Sequence, residues 1–476
     1  MTRKYILKVI IIVIAAAFSA MPSAADDNGK TRKDCIYRLT LNDKKGTRHR
    51  LDKPQTFLSK RAIERRKRQN IQVDSTDLPV SERYLKLLRK SGLKVVGTSR
   101  WHNTVLVLVP DSGVDNSLKA IEGVKDCRLV WQMPDSLIPE ENPKGLHVTF
   151  NKWDSLETSH YGATEEQTKL LNGHTLHNAG YRGKGMTIAV LDGGFLNADL
   201  IPALRNIRLA GEHDFVFHRT LTKSDECGNA DNTRAAIYRN ADHGTKVLSV
   251  MAANVPQVFV GTAPEASFWL LRCEDIQTEM PIEEDYWTMA AEFADSAGVD
   301  IINSSVGYSE FDNHRGDHTY KEMDGKTAFI SQSASMLADK GIVMVCSAGN
   351  LGMGPWKKIG FPADAENVIA VGALTPKLQN AAFSSVGPTQ DGRIKPDVMA
   401  IGAPANVISG RGTIIQSMGT SFASPIVCGL VACLWQSRQD LTAHQIIEMV
   451  RKCGNNRNNP DNIFGYGIPD FSIYLF

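Results

Sequence analysis

At 476 residues the chain is too long for one typical domain, given a prior of about 150 residues per domain, so two folded units with appendages are expected. A hydrophobic content of 42% with 22% charged residues excludes disordered and fibrous classes. The formal net charge of +2 gives no electrostatic reason to expect nucleic acid or an anionic membrane as partner.

Residues 1–25 read as an export signal peptide. Arg3, Lys4 and Lys8 precede an apolar stretch over 9–18, and Pro22-Ser23-Ala24-Ala25 supplies small residues at the cleavage positions. That apolar core is short for a membrane anchor, which is the competing reading, and no membrane span is expected in the mature protein. The expected location is outside the inner membrane, secreted or periplasmic. All eight Cys lie beyond the signal. Cys346, Cys428 and Cys433 sit in apolar runs and read as buried thiols, whereas Cys35, Cys127, Cys227, Cys273 and Cys453 are better placed to pair in an oxidising compartment. Which would pair with which is not deducible, and no Cys/His spacing of the zinc type occurs.

Residues 26–132 form the first unit. Strands are expected over 36–41, 93–97, 104–110 and 126–131, and helices over 82–89 and 114–121. If the basic run over 59–68 is an extra helix, the order is βαββαβ, a small ferredoxin-like sandwich. The basic run itself reads as a solvated helix face, because no aromatic residues are interleaved for stacking on bases. Residues 133–166 lose periodicity around Pro134, Pro139 and Pro143 and read as a linker or cleavable connection.

Residues 167–476 alternate short apolar runs (187–191, 267–271, 300–304, 342–346, 368–371) with helical stretches (245–253, 284–296, 327–340). Such runs are parallel strands buried on both faces, so the class is α/β with a doubly wound parallel sheet. In that architecture reactive groups collect at the carboxyl ends of strands. Asp192 stands there, followed by Gly193 and Gly194; Asn350 closes another strand end in Ser347-Ala348-Gly349-Asn350. His243 opens a helix in His243-Gly244-Thr245, and Ser421 opens a second in Gly419-Thr420-Ser421-Phe422-Ala423-Ser424-Pro425, near free N–H groups and a positive dipole end. Taken singly, each has an ordinary reading as a turn former or helix cap. Together they run Asp, His, Asn, Ser; Asp, His, Ser is the subtilisin order, whereas α/β-hydrolases and chymotrypsin-type enzymes use different ones.

In these motifs the second unit resembles the subtilisin-like serine proteases, the subtilases. The resemblance implies Ser421 as nucleophile, His243 as base and acid, Asp192 as the carboxylate orienting it, and Asn350 as side-chain oxyanion donor. It further implies that Ser304, Ser305, Val306 and Gly307 line an extended peptide substrate, with Gly349 and the 361–363 segment bordering the first pocket. Gly193 replaces the usual Ser or Thr of the family, and Phe422 the usual Met. The first unit would then be a propeptide that inhibits its own catalytic domain until cut, as in a zymogen, or else a permanent accessory domain. Calcium, frequent in the family, would bind near Glu279, Glu283, Glu284 and Asp285 or the 312–317 loop. Without EF-hand spacing these read as solvated acidic surface, and no cofactor is expected. The expected activity is a serine endopeptidase; a catalytically silent peptide-binding or chaperone-like relative is the alternative, and an esterase or peptide ligase a third.

Overall fold

The computed structural model describes residues 33–134, 159–216, 236–239 and 241–475. The expected signal peptide and most of the expected linker lie outside the described residues. The first unit runs β1 (Cys35–Leu41), α1 (Lys60–Arg68), α2 (Glu82–Lys90), β2 (Lys94–Ser99), β3 (Thr104–Val109), α3 (Asp115–Lys119) and β4 (Val124–Gln132). Its sheet order β2-β3-β1-β4 is antiparallel throughout, the ferredoxin-like arrangement with α1 as an addition. Strand alternation gives each face its own task. Tyr37, Leu39, Val105 and Val107 pack under the unit's own α2 and α3, while Ile36, Leu106, Val130 and Trp131 enter the core of the second unit.

The second unit opens with α4 (Glu165–Lys169) and α5 (Gly173–Asn178), then β5 (Thr187–Asp192), β6 (Arg208–Asp214) and α6 (His243–Ala252). The two-residue β7 (Asn254–Val255) and β8 (Phe259–Val260) precede β9 (Ser267–Arg272), α7 (Ile282–Ala297), β10 (Ile301–Ser304), α8 (Phe329–Met336), β11 (Val343–Ser347) and β12 (Val368–Leu374). The chain closes with β13 (Val398–Ile401), a β14 (Ala405–Ile408) and β15 (Ile414–Ser417) hairpin, α9 (Thr420–Ser437) and α10 (Ala443–Lys452). The seven-stranded sheet is ordered β13-β12-β11-β10-β5-β9-β6 and its pairings are parallel.

Successive residues of each central strand face opposite layers. Ile188, Val190, Ile301 and Val345 meet α6, α9 and α10, whereas Ala189, Leu191, Ile302 and Met344 meet α7 and α8. The helix α9 is long and apolar enough to cross a membrane, but it is buried at the centre of this fold.

Three surface expectations are corrected. The basic run is not a solvated face: Arg65 and Arg66 are each 1% exposed and bind the buried Asp295 of α7, and Arg61 pairs with Asp300. The acidic stretch is not solvated either, since Glu283, Glu284 and Asp285 are buried; Asp285 holds Arg38, and Glu284 holds His318. The seven described cysteines, Cys35, Cys127, Cys273 and Cys453 among them, are buried free thiols, and Cys227 lies outside the described residues.

Candidate active site

β5 ends at Asp192, which is fully buried, its Oδ1 accepting the Gly193 backbone N–H at 2.8 Å. α6 begins at His243, and its Nδ1 faces both carboxylate oxygens at 2.9 and 3.0 Å. The imidazole is 38% exposed at its side chain, and the ring packs against that of Phe422, centroids 5.6 Å apart. Burial would lower the His243 pKa, but the charge and hydrogen bond of Asp192, with the nearby Glu274 carboxylate, outweigh it and push the pKa up to about 9. The Phe in place of the family's usual Met therefore touches the base itself.

Ser421 is the second residue of α9 and 6% exposed. Its Oγ donates to the Ser305 carbonyl at 3.2 Å, and Ser305 Oγ donates back to the Ser421 carbonyl at 2.9 Å. Beneath them Asn303 donates to Ser305 Oγ, and Ser424 donates to Asn303 Oδ1. This buried chain of hydrogen bonds stitches the end of β10 to the start of α9 and fixes the serine against the strand. Among the described residues no hydrogen bond joins Ser421 to His243.

Asn350 lies where β11 gives way to a loop. Its Oδ1 accepts the backbone N–H and the hydroxyl of Thr420 at 2.9 and 3.0 Å, which leaves the amide nitrogen as the free end. Gly349 sits at φ +107, and a Cβ there would lie 3.0 Å from Ser385 Oγ, so only glycine fits the turn without strain. Of the other expected groove residues, Ser304 accepts the Trp287 indole N–H, Val306 is buried and Gly307 is exposed. Phe361 is sealed against His318 and Trp356 and reaches the groove only through its backbone bonds to Tyr308.

The structure thus brings Asp192 to His243 and, separately, Asn350 and Ser305 to the start of α9. Sequence reasoning missed Asn303, Ser424 and Arg272. Arg272, at the end of β9, donates to the Gly193 carbonyl at 3.1 Å and to Asp214 at 2.9 Å, clamping the turn after Asp192. The polar Asn303 inside an apolar strand, and a basic residue closing another, were the signals available.

The comparisons with known proteins fall on the same two units. The sequence model of the subtilase family matches residues 183–467, and that of the Peptidase S8 propeptide domain of Bacteroidota matches residues 36–144. Subtilisin NAT of Bacillus subtilis subsp. natto is 30% identical over 336 residues, covering 70% of this chain and 76% of that protein. Subtilisin DY of Bacillus licheniformis is 28% identical over 290 residues (60% and 90%), and serine protease AprX of Bacillus subtilis is 29% identical over 337 residues (64% and 68%).

Proposed function

The chain belongs to the subtilase family as a serine-type endopeptidase with a propeptide domain, and from that premise we propose that Asp192, His243 and Ser421 form its triad. The observation that carries the assignment is the buried Asp192 bonded to His243 Nδ1, at the sheet edge where α9 presents Ser421. Rotation of Ser421 about its Cα–Cβ bond moves the hydroxyl from Ser305 to His243 Nε2. The base takes that proton as Oγ attacks the scissile carbonyl, then passes it to the leaving amine. Asp192 holds the tautomer and stabilises the imidazolium, remaining ionised. The oxyanion is met by the Asn350 amide N–H and the Ser421 backbone N–H, a kind of donor worth about 3–4 kcal/mol in subtilisin itself.

The peptide lies extended along residues 304–307, with the first side chain directed past Gly349. The first unit, docked on α7 and α8, is the intramolecular inhibitor, and processing falls within residues 133–166. Export follows from the N-terminal signal; the reading draws on no cofactor, calcium included.

A fluorophosphonate probe applied to the exported protein and to Ser421→Ala, followed by mass spectrometry, tests this. Label on Ser421 in the wild type alone, with a new N-terminus inside 133–166, is expected. A processed, folded protein that takes no label is instead the silent peptide-binding relative.

A further inference from the structure

We propose that Glu274 makes the subsite beside His243 select a cationic side chain, lysine or arginine, at the substrate residue immediately before the one whose carbonyl is attacked. The inference rests on the proteolytic reading above and deepens it.

Sheet order supplies the geometry. The substrate strand follows β10, with β11 and its Gly349-Asn350 loop on one side and β5, then β9, on the other. Side chains of an extended peptide alternate between the two sides. When the first side chain goes to the β11 loop, the preceding one faces the ends of β5 and β9, where Asp192 and Glu274 stand.

The Glu274 carboxylate is half-buried and, unlike the buried acids elsewhere on the molecule, makes no hydrogen bond or ion pair among the described residues. Arg272, the nearest cation in sequence, is engaged by the Gly193 carbonyl and Asp214. Glu279 is likewise unpaired through its side chain, and Glu283 accepts only backbone N–H groups, from Asp275 and Met280. A second observation agrees with it: the Tyr308 hydroxyl, on a residue 1% exposed, has no partner, and burial, then the Glu283 and Glu274 carboxyls, push its pKa up.

Gly193, the departure from the family's usual Ser or Thr, falls into line with this. A Cβ there would lie 3.1 Å from Glu274 Oε2 and 2.9 Å from Ile276 Cγ2, so glycine leaves the space that the carboxylate occupies. Burial, then the Asp192 charge, push the Glu274 pKa up to about 7, opposed by His243 and Arg272, which marks a carboxylate short of counter-charge. A resident metal is a poorer occupant, since no group of three or more acidic, His or Cys side chains among the described residues is arranged to hold one.

The test uses the self-processed protein from the full chain and two fluorogenic peptides, identical except for lysine or norleucine at the position in question. The wild type should show a kcat/KM ratio of about tenfold or more for lysine, as a charge-assisted contact implies. Glu274→Gln should bring that ratio near one, and Gly193→Ser, which crowds the carboxylate, should also lower it. Equal cleavage of both peptides by the wild type overturns the inference while leaving the proteolytic reading intact. A wild type that cleaves neither, and takes no fluorophosphonate, overturns both. The wild-type ratio decides the matter even where a variant fails to mature.

Discussion

The helix α7 and the segment leading into it carry two sets of acids that receive opposite treatment. Asp285, in its first turn, receives two bonds from Arg38 at 2.7 and 2.6 Å, and Asp295, in its last, is bonded by Arg65, Arg66 and Arg100. Glu292 between them accepts the backbone N–H groups of Arg100 and Trp101 at 2.9 and 3.0 Å. All of these donors belong to the first unit. Glu274 and Glu279, on the approach to the same helix, and Glu283, in its first turn, receive no cation from anywhere among the described residues. Acids matched by the first unit hold that unit in place, and among the unmatched ones Glu274 stands against the turn at Gly193. The contrast assigns docking to the former set and leaves Glu274 for substrate recognition.

The largest effect expected from breaking this pattern comes from Arg38→Met. It leaves Asp285 buried without its partner, and removing one member of a buried pair costs about 3–5 kcal/mol. The buried Trp101 and Trp131 lie in the interface and report undocking by fluorescence during denaturant titration. In a Ser421→Ala background, which blocks processing, the undocking midpoint should fall sharply for Arg38→Met and recover in Arg38→Met/Asp285→Leu. Equal losses in the single and double variants would mean that shape, not charge matching, holds the units together.

A smaller effect concerns pH. His243 acts as base only when neutral, so with its pKa at about 9 kcat/KM should rise with pH and level off above that value. The Glu274 charge helps to hold the pKa up, so Glu274→Gln should move the rising limb to lower pH. A limb that stays in place would separate Glu274 electrostatically from the base and weaken its assignment to the groove.

What the sequence made legible follows from how local each signal is. β5, β9, β10, β11 and β12 are continuous apolar runs, and all are strands; β6, Arg208–Asp214, escaped because it is a mostly exposed edge strand with no such run. Asp192, His243, Asn350 and Ser421 stood out because each lies at an element end inside a short motif. The basic run was misread because its partners lie far along the chain: Arg65 and Asp295 are separated by 230 residues. The first-unit arginines and the second-unit acids each look like solvated charge until the fold brings them together. Glu274 was invisible for a related reason, since its role depends on a gap above Gly193 that only packing reveals.

The smallest expected effect is the sharpest probe of the unmatched set. Glu283 is fully buried, and burial, then Glu279 and Glu274, hold its carboxyl well above the usual range. Because the folded pKa is raised, the carboxyl binds a proton more tightly folded than unfolded, and its contribution to stability falls as pH climbs above the ordinary value of 4.5. Glu283→Gln keeps the shape and one acceptor for the Asp275 N–H, risks the weaker 3.2 Å bond from Met280, and removes the titration. At pH 4, below that ordinary value, the variant should therefore lie within about 1 kcal/mol of the parent, the scale of one hydrogen bond. Toward pH 9 it should become the more stable of the two in thermal denaturation. A loss of about 3 kcal/mol at pH 4 would instead be the signature of a broken charge pair. Glu283 would then have a counter-charge after all, and the difference between the two sets of acids would collapse.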